Sequence, residues 1–443
     1  EQCRGGFVAY KADGSLTIFG ATETDLYTMD NSSFAWTKVS KAGGPYPAIS
    51  STDQWVMRQF NNLVIAVQAN VPPQVFNIVT SSEFEDLDGS PPQARYVDIV
   101  GRFVVLSGLL SNPYRVQWSG LNDVDGPDSW TSGINSSDFQ DLPDGGICRG
   151  VAGGETGIIL QDQSIRRMTF VPGSPIIFQI ERIAQDKGLF GPYSLVRAGE
   201  RIFFFSAQGF HRIDPGGYPT PIGRERIDRT VFNDLDKSNL QLFIGAADPR
   251  NTRVFWAYKS VNGDTGRFDK VLCYDWVLDR FAPIKVSGEY LLPMSQPGIT
   301  LEGLGTLFAS IDDMTTESLD DFPTSVTPEL AAFSTGHALG FFRGANLEAT
   351  LNTAEQGTDA RRLKVRGFRP VTDASILYGS VSRRDTQQAV PIFTAESLIN
   401  AVTGKCNMVA STRYCRGRVR IPAGTNWTYI AGIEPDFVLE GKR

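Results

Sequence analysis

Histidine is nearly absent from this chain: His211 and His337 are the two in 443 residues. A Ser-His-Asp or Cys-His constellation needs one of them beside a positioned nucleophile, and no G-x-S-x-G elbow accompanies either. Both read as structural residues, His211 in a strand-like segment and His337 in a glycine-flanked loop. Cysteine is sparse too. Cys3, Cys148, Cys273, Cys406 and Cys415 are scattered, odd in number and form no CxxC pair. That spacing fits no zinc site and points to free thiols in a reducing, cytosolic setting. Cys406 and Cys415 alone are close enough in sequence to face each other on a hairpin. No run approaches the ~18 apolar residues of a membrane-spanning helix, and no signal peptide opens the chain. It begins almost directly on a strand, as though residues precede Glu1.

Other familiar chemistry is missing as well. GGETG (153–157) lacks the Lys-Ser/Thr ending and the following helix of a phosphate loop, so it reads as a turn. NDVDGPDSW (122–130) lacks the last glutamate of an EF-hand loop, and its Asp-Gly-Trp spacing does not fit the Asp-box of sialidases. The carboxylate groups Glu83, Glu85, Asp86 and Asp320, Asp321 sit in polar runs, where a solvated face is expected rather than a glycosidase pair. No catalytic residue, cofactor or metal is expected.

What is present is aromatic and turn-rich. Aromatics make up 11% of the chain, with 28 Phe against six Met, and it holds 44 Gly and 25 Pro. This favours an all-β class. A pattern then recurs. Short apolar strands start at Leu16, Leu63, Phe103, Ile158, Ile202, Val254 and Leu307, 40 to 55 residues apart. Each is followed by a partner strand, such as DLYTMD (25–30) or GFHRID (209–214). Most are preceded by another, such as GFVAY (6–10) or RYVDIV (95–100). Outer strands with an aromatic often close the unit, as in FAWTKV (34–39), SEFEDL (82–87), IIFQIER (176–182) and RFAPIKV (280–286). Four strands per unit at this period predict a β-propeller of six clear blades and a weaker seventh around 289–312. The second strand of a blade is buried on both faces, which is why it reads as an unbroken apolar run. Long insertions fall at 119–146, 223–241 (with a short helix) and 312–330; loops of that length are candidate partner contacts.

From 331 onward, apolar residues alternate with polar or basic ones. The expected division is a propeller over 1–330 and an antiparallel, sandwich-like β domain over 331–443. Charge divides with it. Residues 331–443 carry 15 Lys+Arg and nine Asp+Glu, a net of +6, and the remainder carries 27 and 40, a net of −13. An acidic propeller is unlike a nucleic-acid reader, whose domain is basic. The basic residues are Arg361, Arg362, Lys364, Arg366 and Arg369, with Arg383, Arg384, Arg413, Arg416, Arg418 and Arg420. Arg362, Lys364 and Arg366 share one side of a strand. This face is a candidate for phosphate contact or for docking onto an acidic protein rim, against the plain reading of a solvated sheet face. Docking is favoured, because aromatic stacking partners are not interleaved with the cations in the sequence as single-strand binders require.

Residues 5–236 resemble the nozzle, or packaged-DNA-stabilisation, proteins of short-tailed P22-like bacteriophages. The resemblance lies in GGFVAYKADGSLTIFGATETDLYTMDNSSFAWTKVS, QWVMRQFNNLVIAVQANVPPQVFN, PPQARYVDIVGRFVVLSG, RVQWSGLNDVDGPDSW and KGLFGPYSLVRAGERIFFFSAQGFHRID. It implies a non-enzymatic virion protein, assembled in the host cytoplasm. Such a protein is one subunit of a hexameric ring below the head-to-tail adaptor. The ring surrounds packaged double-stranded DNA without reading its sequence, keeps it in until ejection, and anchors tail fibres, spikes or a needle. Two other classes compete: a glycan-binding or glycoside-cleaving propeller, and a propeller scaffold for host complexes. Neither Kelch nor WD signatures recur here to support the last.

Overall fold

Six of the seven apolar runs become the second strand of a four-stranded antiparallel sheet. The computed structural model describes residues 1–42, 45–298, 304–305, 308, 310–313, 326–357 and 361–440. In blade one the strands are Gly5–Tyr10, Leu16–Ala21, Leu26–Met29 and Trp36–Lys38, paired in that order. The second strands of blades two to six are Leu63–Val67, Phe103–Leu109, Thr156–Gln161, Arg201–Ser206 and Arg253–Tyr258. A seventh sheet has three strands, Tyr290–Gln296, Thr327–Phe333 and Leu339–Phe341.

Burial on both faces explains the apolar runs. Every residue of Phe103–Leu109 is buried. In Arg201–Ser206, Phe203 and Phe205 point into the cluster shared with blade six, while Ile202 and Phe204 point into the cluster shared with blade four. Successive side chains of a strand leave on opposite faces, so a strand sandwiched between two blades must be apolar at every position. The described residues form one such cluster at each blade junction. Val8, Leu16 and Ile18 of blade one meet Leu292, Met294, Ala331 and Phe333 of blade seven, and Tyr10 Oη lies 2.7 Å from Ser295 Oγ. The ring is thereby closed, and the fold is an all-β, seven-bladed propeller.

Three sequence expectations are corrected. The chain divides into units at 342/343, not at 330/331, because Thr327–Phe333 and Leu339–Phe341 complete blade seven. The seventh unit is thus not confined to 289–312. Residues 307 and 309 of its expected strand, and residues 314–325 of the 312–330 insertion with Asp320 and Asp321, lie outside the described residues. The 119–146 insertion is not all loop: Asp138–Asp141 is the outer strand of blade three. The 223–241 insertion does carry a short helix, Asp228–Asp234.

That helix begins on a buried carboxylate. Asp228 is 8% exposed and accepts a hydrogen bond from the Phe210 amide at 3.1 Å. A Cβ at either Gly209 or Gly223 would collide with its oxygens, so two glycines make the space. Burial, only partly offset by the Phe210 amide, pushes this carboxyl above its ordinary value. A raised folded-state pKa means the folded form holds the proton more tightly. The resulting stability is fully present below the unfolded value near ~3.9 and is lost as pH rises through the folded one. Asp228→Asn keeps an acceptor without the charge. The stability of wild type minus that of Asp228→Asn should therefore fall as pH rises from acid towards neutral, measured by thermal melts. A difference that is flat or rises would refute the assignment.

Residues 343–440 form their own unit. One sheet orders Cys406–Thr412, Leu363–Thr372 and Ile430–Leu439. The other centres on Tyr414–Ile421 flanked by Ala349–Asn352 and Tyr378–Arg384. Val365, Phe368, Cys406 and Met408 from the first meet Val381, Val419 and Ile421 from the second. This is an antiparallel sandwich with one core.

Candidate functional site

The sandwich fixes where the basic residues point. In Leu363–Thr372, Leu363, Val365, Gly367 and Phe368 are buried while Lys364, Arg366 and Arg369 are exposed. Period two alone would send Arg369 to the opposite side from Lys364. The register slips between Val365 and Gly367, and Gly367 has a φ of 144°, a value that favours glycine. This bulge turns Phe368 into the core and returns Arg369 to the solvent face. In the other sheet, Arg416, Arg418 and Arg420 alternate with Gly417, Val419 and Ile421, which are buried. The two inner faces meet in the core, so the two sets of cations leave from opposite outer faces. The single basic face expected from the sequence is in fact two.

On the second of these faces most cations are engaged by the chain itself, and Arg416 Nε is buried with no partner among the described residues. Arg420 bridges Glu348 at 3.0 Å and Glu396 at 2.6 Å, and it holds Glu396 below the usual carboxylate range. Arg384 forks onto Glu355. Arg418 donates to Asn352 Oδ1 at 2.8 Å and lies 3.7 Å over the Phe393 ring. Arg420 lies 4.6 Å over Tyr378, and Arg384 5.8 Å over Tyr414. The expectation that aromatics are not interleaved with the cations is corrected. Tyr378 and Phe393 arrive on neighbouring strands, opposite Arg420 and Ser382, a placement that linear order conceals. The guanidinium groups already occupy these rings and carboxylates, so the ladder stiffens the sheet. Ser380 and Ser382 are buried beneath it. The only hint in the sequence was serine where an outward position faces arginine.

The first face is more open. Arg362 pairs with Asp385 at 2.9 Å and Lys364 approaches Glu440 at 4.0 Å. Lys405 bridges Asp436 at 2.5 Å. Lys405 first, then Arg366 and Arg369, hold that carboxyl below its ordinary value. Arg366 and Arg369 make no salt bridge within 4.0 Å among the described residues; Arg369 donates to the Thr403 carbonyl at 3.3 Å. Arg361 is exposed just before the strand, and Arg383 is exposed at the end of Tyr378–Arg384.

Elsewhere, the two histidines are tied into the scaffold. Buried His211 stacks on Phe204 and has Nδ1 3.1 Å from Ser206 Oγ, and burial lowers its pKa. His337 pairs with buried Glu289 at 2.8 Å, which also accepts the Cys3 amide. GGETG spans the turn between Cys148–Ala152 and Thr156–Gln161. NDVDGPDSW is held by its own contacts, Ser129 Oγ to Asp123 Oδ1 at 2.6 Å and Trp130 Nε1 to the Val124 carbonyl at 3.0 Å. Among the described residues no three acidic, histidine or cysteine groups converge as a metal site would require. All five cysteines are free. Cys406 and Cys415 do not share a hairpin; they enter the core from different sheets, and burial pushes the Cys406 thiol up to about 11.

The propeller axis is crossed by side chains. The Gln54 amide donates to Tyr193 Oη at 2.8 Å, and Gln54 Nε2 donates to the Gln241 carbonyl at 3.0 Å. Gln54 enters blade two, while Tyr193 and Gln241 enter blades five and six, neither of which adjoins blade two. Tyr96 of blade three packs edge-on against Tyr193 at 5.9 Å.

No family model matches the chain, and no curated protein matches it. Solved structures similar to it include the extracellular domain of BT4673 from B. thetaiotaomicron, with 11% identity and a TM-score of 0.45. That likeness covers 89% of this chain and 46% of the other, so this chain spans about half its length. Another is a chain of the mitotic checkpoint complex, with 7% identity, a TM-score of 0.41, and 76% and 86% covered. A third is a quinoprotein alcohol dehydrogenase-like protein from Bacteroides thetaiotaomicron, with 11% identity, a TM-score of 0.36, and 64% and 66% covered. The propeller assignment rests on the sheets themselves. Among the described residues, no helix is long and apolar enough to cross a membrane.

Proposed function

We propose that this chain is a structural subunit of a bacteriophage tail ring, a nozzle below the head-to-tail adaptor that retains packaged DNA and anchors fibres or spikes. The reading is carried by the resemblance of residues 5–236 to nozzle proteins. Physical chemistry supports it in two ways. Residues 1–342 hold a net −13, and a wall that lets DNA slide must avoid the phosphate contacts that make proteins adhere. The axis of one propeller is blocked by Gln54, Tyr193 and Gln241, so a lumen for duplex DNA has to form between subunits, as in a ring. The sandwich, with net +6 and the open Lys364, Arg366, Arg369 face, suits docking onto an acidic neighbour. Negative-stain imaging of the purified chain, alone and mixed with adaptor, should show closed rings with a central hole. Solitary particles under both conditions would end this reading.

A further inference from the structure

The face of the propeller that carries the inter-blade connections holds a cavity of about 470 Å³ beside the blocked axis. Connections entering blades two to six build it. Three cations line it, Arg95, Arg149 and Lys237, with Tyr96 and Phe190 as walls and Gln241 among its polar groups. Arg95 is fastened through Nε to Asp53 Oδ2 at 3.3 Å, and Arg149 through Nε to Asp162 Oδ1 at 2.6 Å. Asp162 is further engaged by the Ile147 amide at 3.0 Å. In both arginines the aspartate holds the inner nitrogen and sets the plane of the guanidinium. Neither has an acceptor for its terminal nitrogens among the described residues. That leaves the two-pronged end of each fork free, the part that grips a planar carboxylate. Asp53 and Asp162 line the cavity as well, so its three cations exceed its two carboxylates by one, in a unit whose net charge is −13.

We infer that this cavity binds an acidic sugar, a hexuronic-acid unit held by its carboxylate on Arg149 and Arg95 with its hydroxyls on the amide and hydroxyl groups of the wall. The volume lies within the range of about 300–1,000 Å³ for small-ligand sites, and an inorganic anion would leave most of it empty. Aromatic walls and scattered polar groups suit the mixed faces of a pyranose. The inference stands apart from the ring reading, since it rests on the lining of a single propeller.

Ligand-observed NMR on the full chain tests it with glucuronate, glucose and inorganic phosphate. Glucuronate should bind saturably and glucose should not. Arg149→Gln should weaken glucuronate by about tenfold or more, the loss of about 1.4 kcal/mol of a charge-assisted pair. Arg149 is the residue to change because its partner Asp162 keeps a second donor. Lys237→Gln is the alternative should that variant fail to fold, with a smaller weakening expected. No saturable binding of glucuronate, equal binding of glucose, phosphate binding as tightly as glucuronate, or undiminished binding by the folded variants would each overturn it.

Discussion

Phe205→Ala is expected to cost the propeller about 3–5 kcal/mol, the range for deleting a buried phenyl ring. Phe205 is fully buried. Its ring touches Phe210, Phe232 and Phe243 at centroid distances of 4.7 to 4.8 Å, with Phe190 at 6.2 Å. Phe210 lies on the third strand of blade five, Phe190 and Phe232 on the connection and helix beside that blade, and Phe243 at the entry of blade six. The hole left by alanine therefore opens between blades, where rigid sheets on both sides resist collapse. Chemical denaturation should show a lower midpoint with an unchanged slope. A loss below about 1 kcal/mol would mean that the junction repacks and that blade-to-blade burial is not the main support of the ring.

Arg4→Met is the second large effect, expected to cost about 2–4 kcal/mol. Arg4 is 9% exposed. Its guanidinium donates to Gln54 Oε1 at 3.2 Å, to the Ser50 carbonyl at 2.9 Å and to the Asp53 carbonyl. Burial lowers its pKa, so the charge is held at some cost and its value lies in satisfying three acceptors. Methionine fills similar volume but leaves Gln54 Oε1 and the Asp53 carbonyl without a donor, while the Ser50 carbonyl keeps the Asp53 amide at 3.0 Å. Because Gln54 also reaches Tyr193 and Gln241, the loss should spread to the axis. Faster amide exchange at Gln54 and at residues 50–53 would report it. A variant as stable as wild type, with unchanged exchange, would show that water replaces the guanidinium.

The propeller was legible because a blade writes itself locally. RIFFFS and RFVVLS sit where strands are covered on both faces, which is why they read as unbroken apolar runs. The seventh blade was misread because its second strand, Thr327–Phe333, lies some thirty residues past the first, beyond an acidic insertion. Nothing local says which earlier strand it pairs with. The basic residues were all visible in the sequence, and their grouping was not. A bulge at Gly367 moved Arg369 to the side of Lys364, and the packing of two sheets sent Arg416, Arg418 and Arg420 the other way. The cavity holding Arg95, Arg149 and Lys237 left no linear signal, since its parts come from five blades.

By itself the sequence determined the all-β class, the repeat, the division of charge and the scarcity of histidine and cysteine. Each of these follows from composition, from unbroken apolar runs and from their spacing along the chain. The tertiary structure alone decided how the ring closes, which cations are already paired, and what meets across the axis. Those depend on contacts between residues far apart in the chain, and only the geometry of stacked sheets sets them.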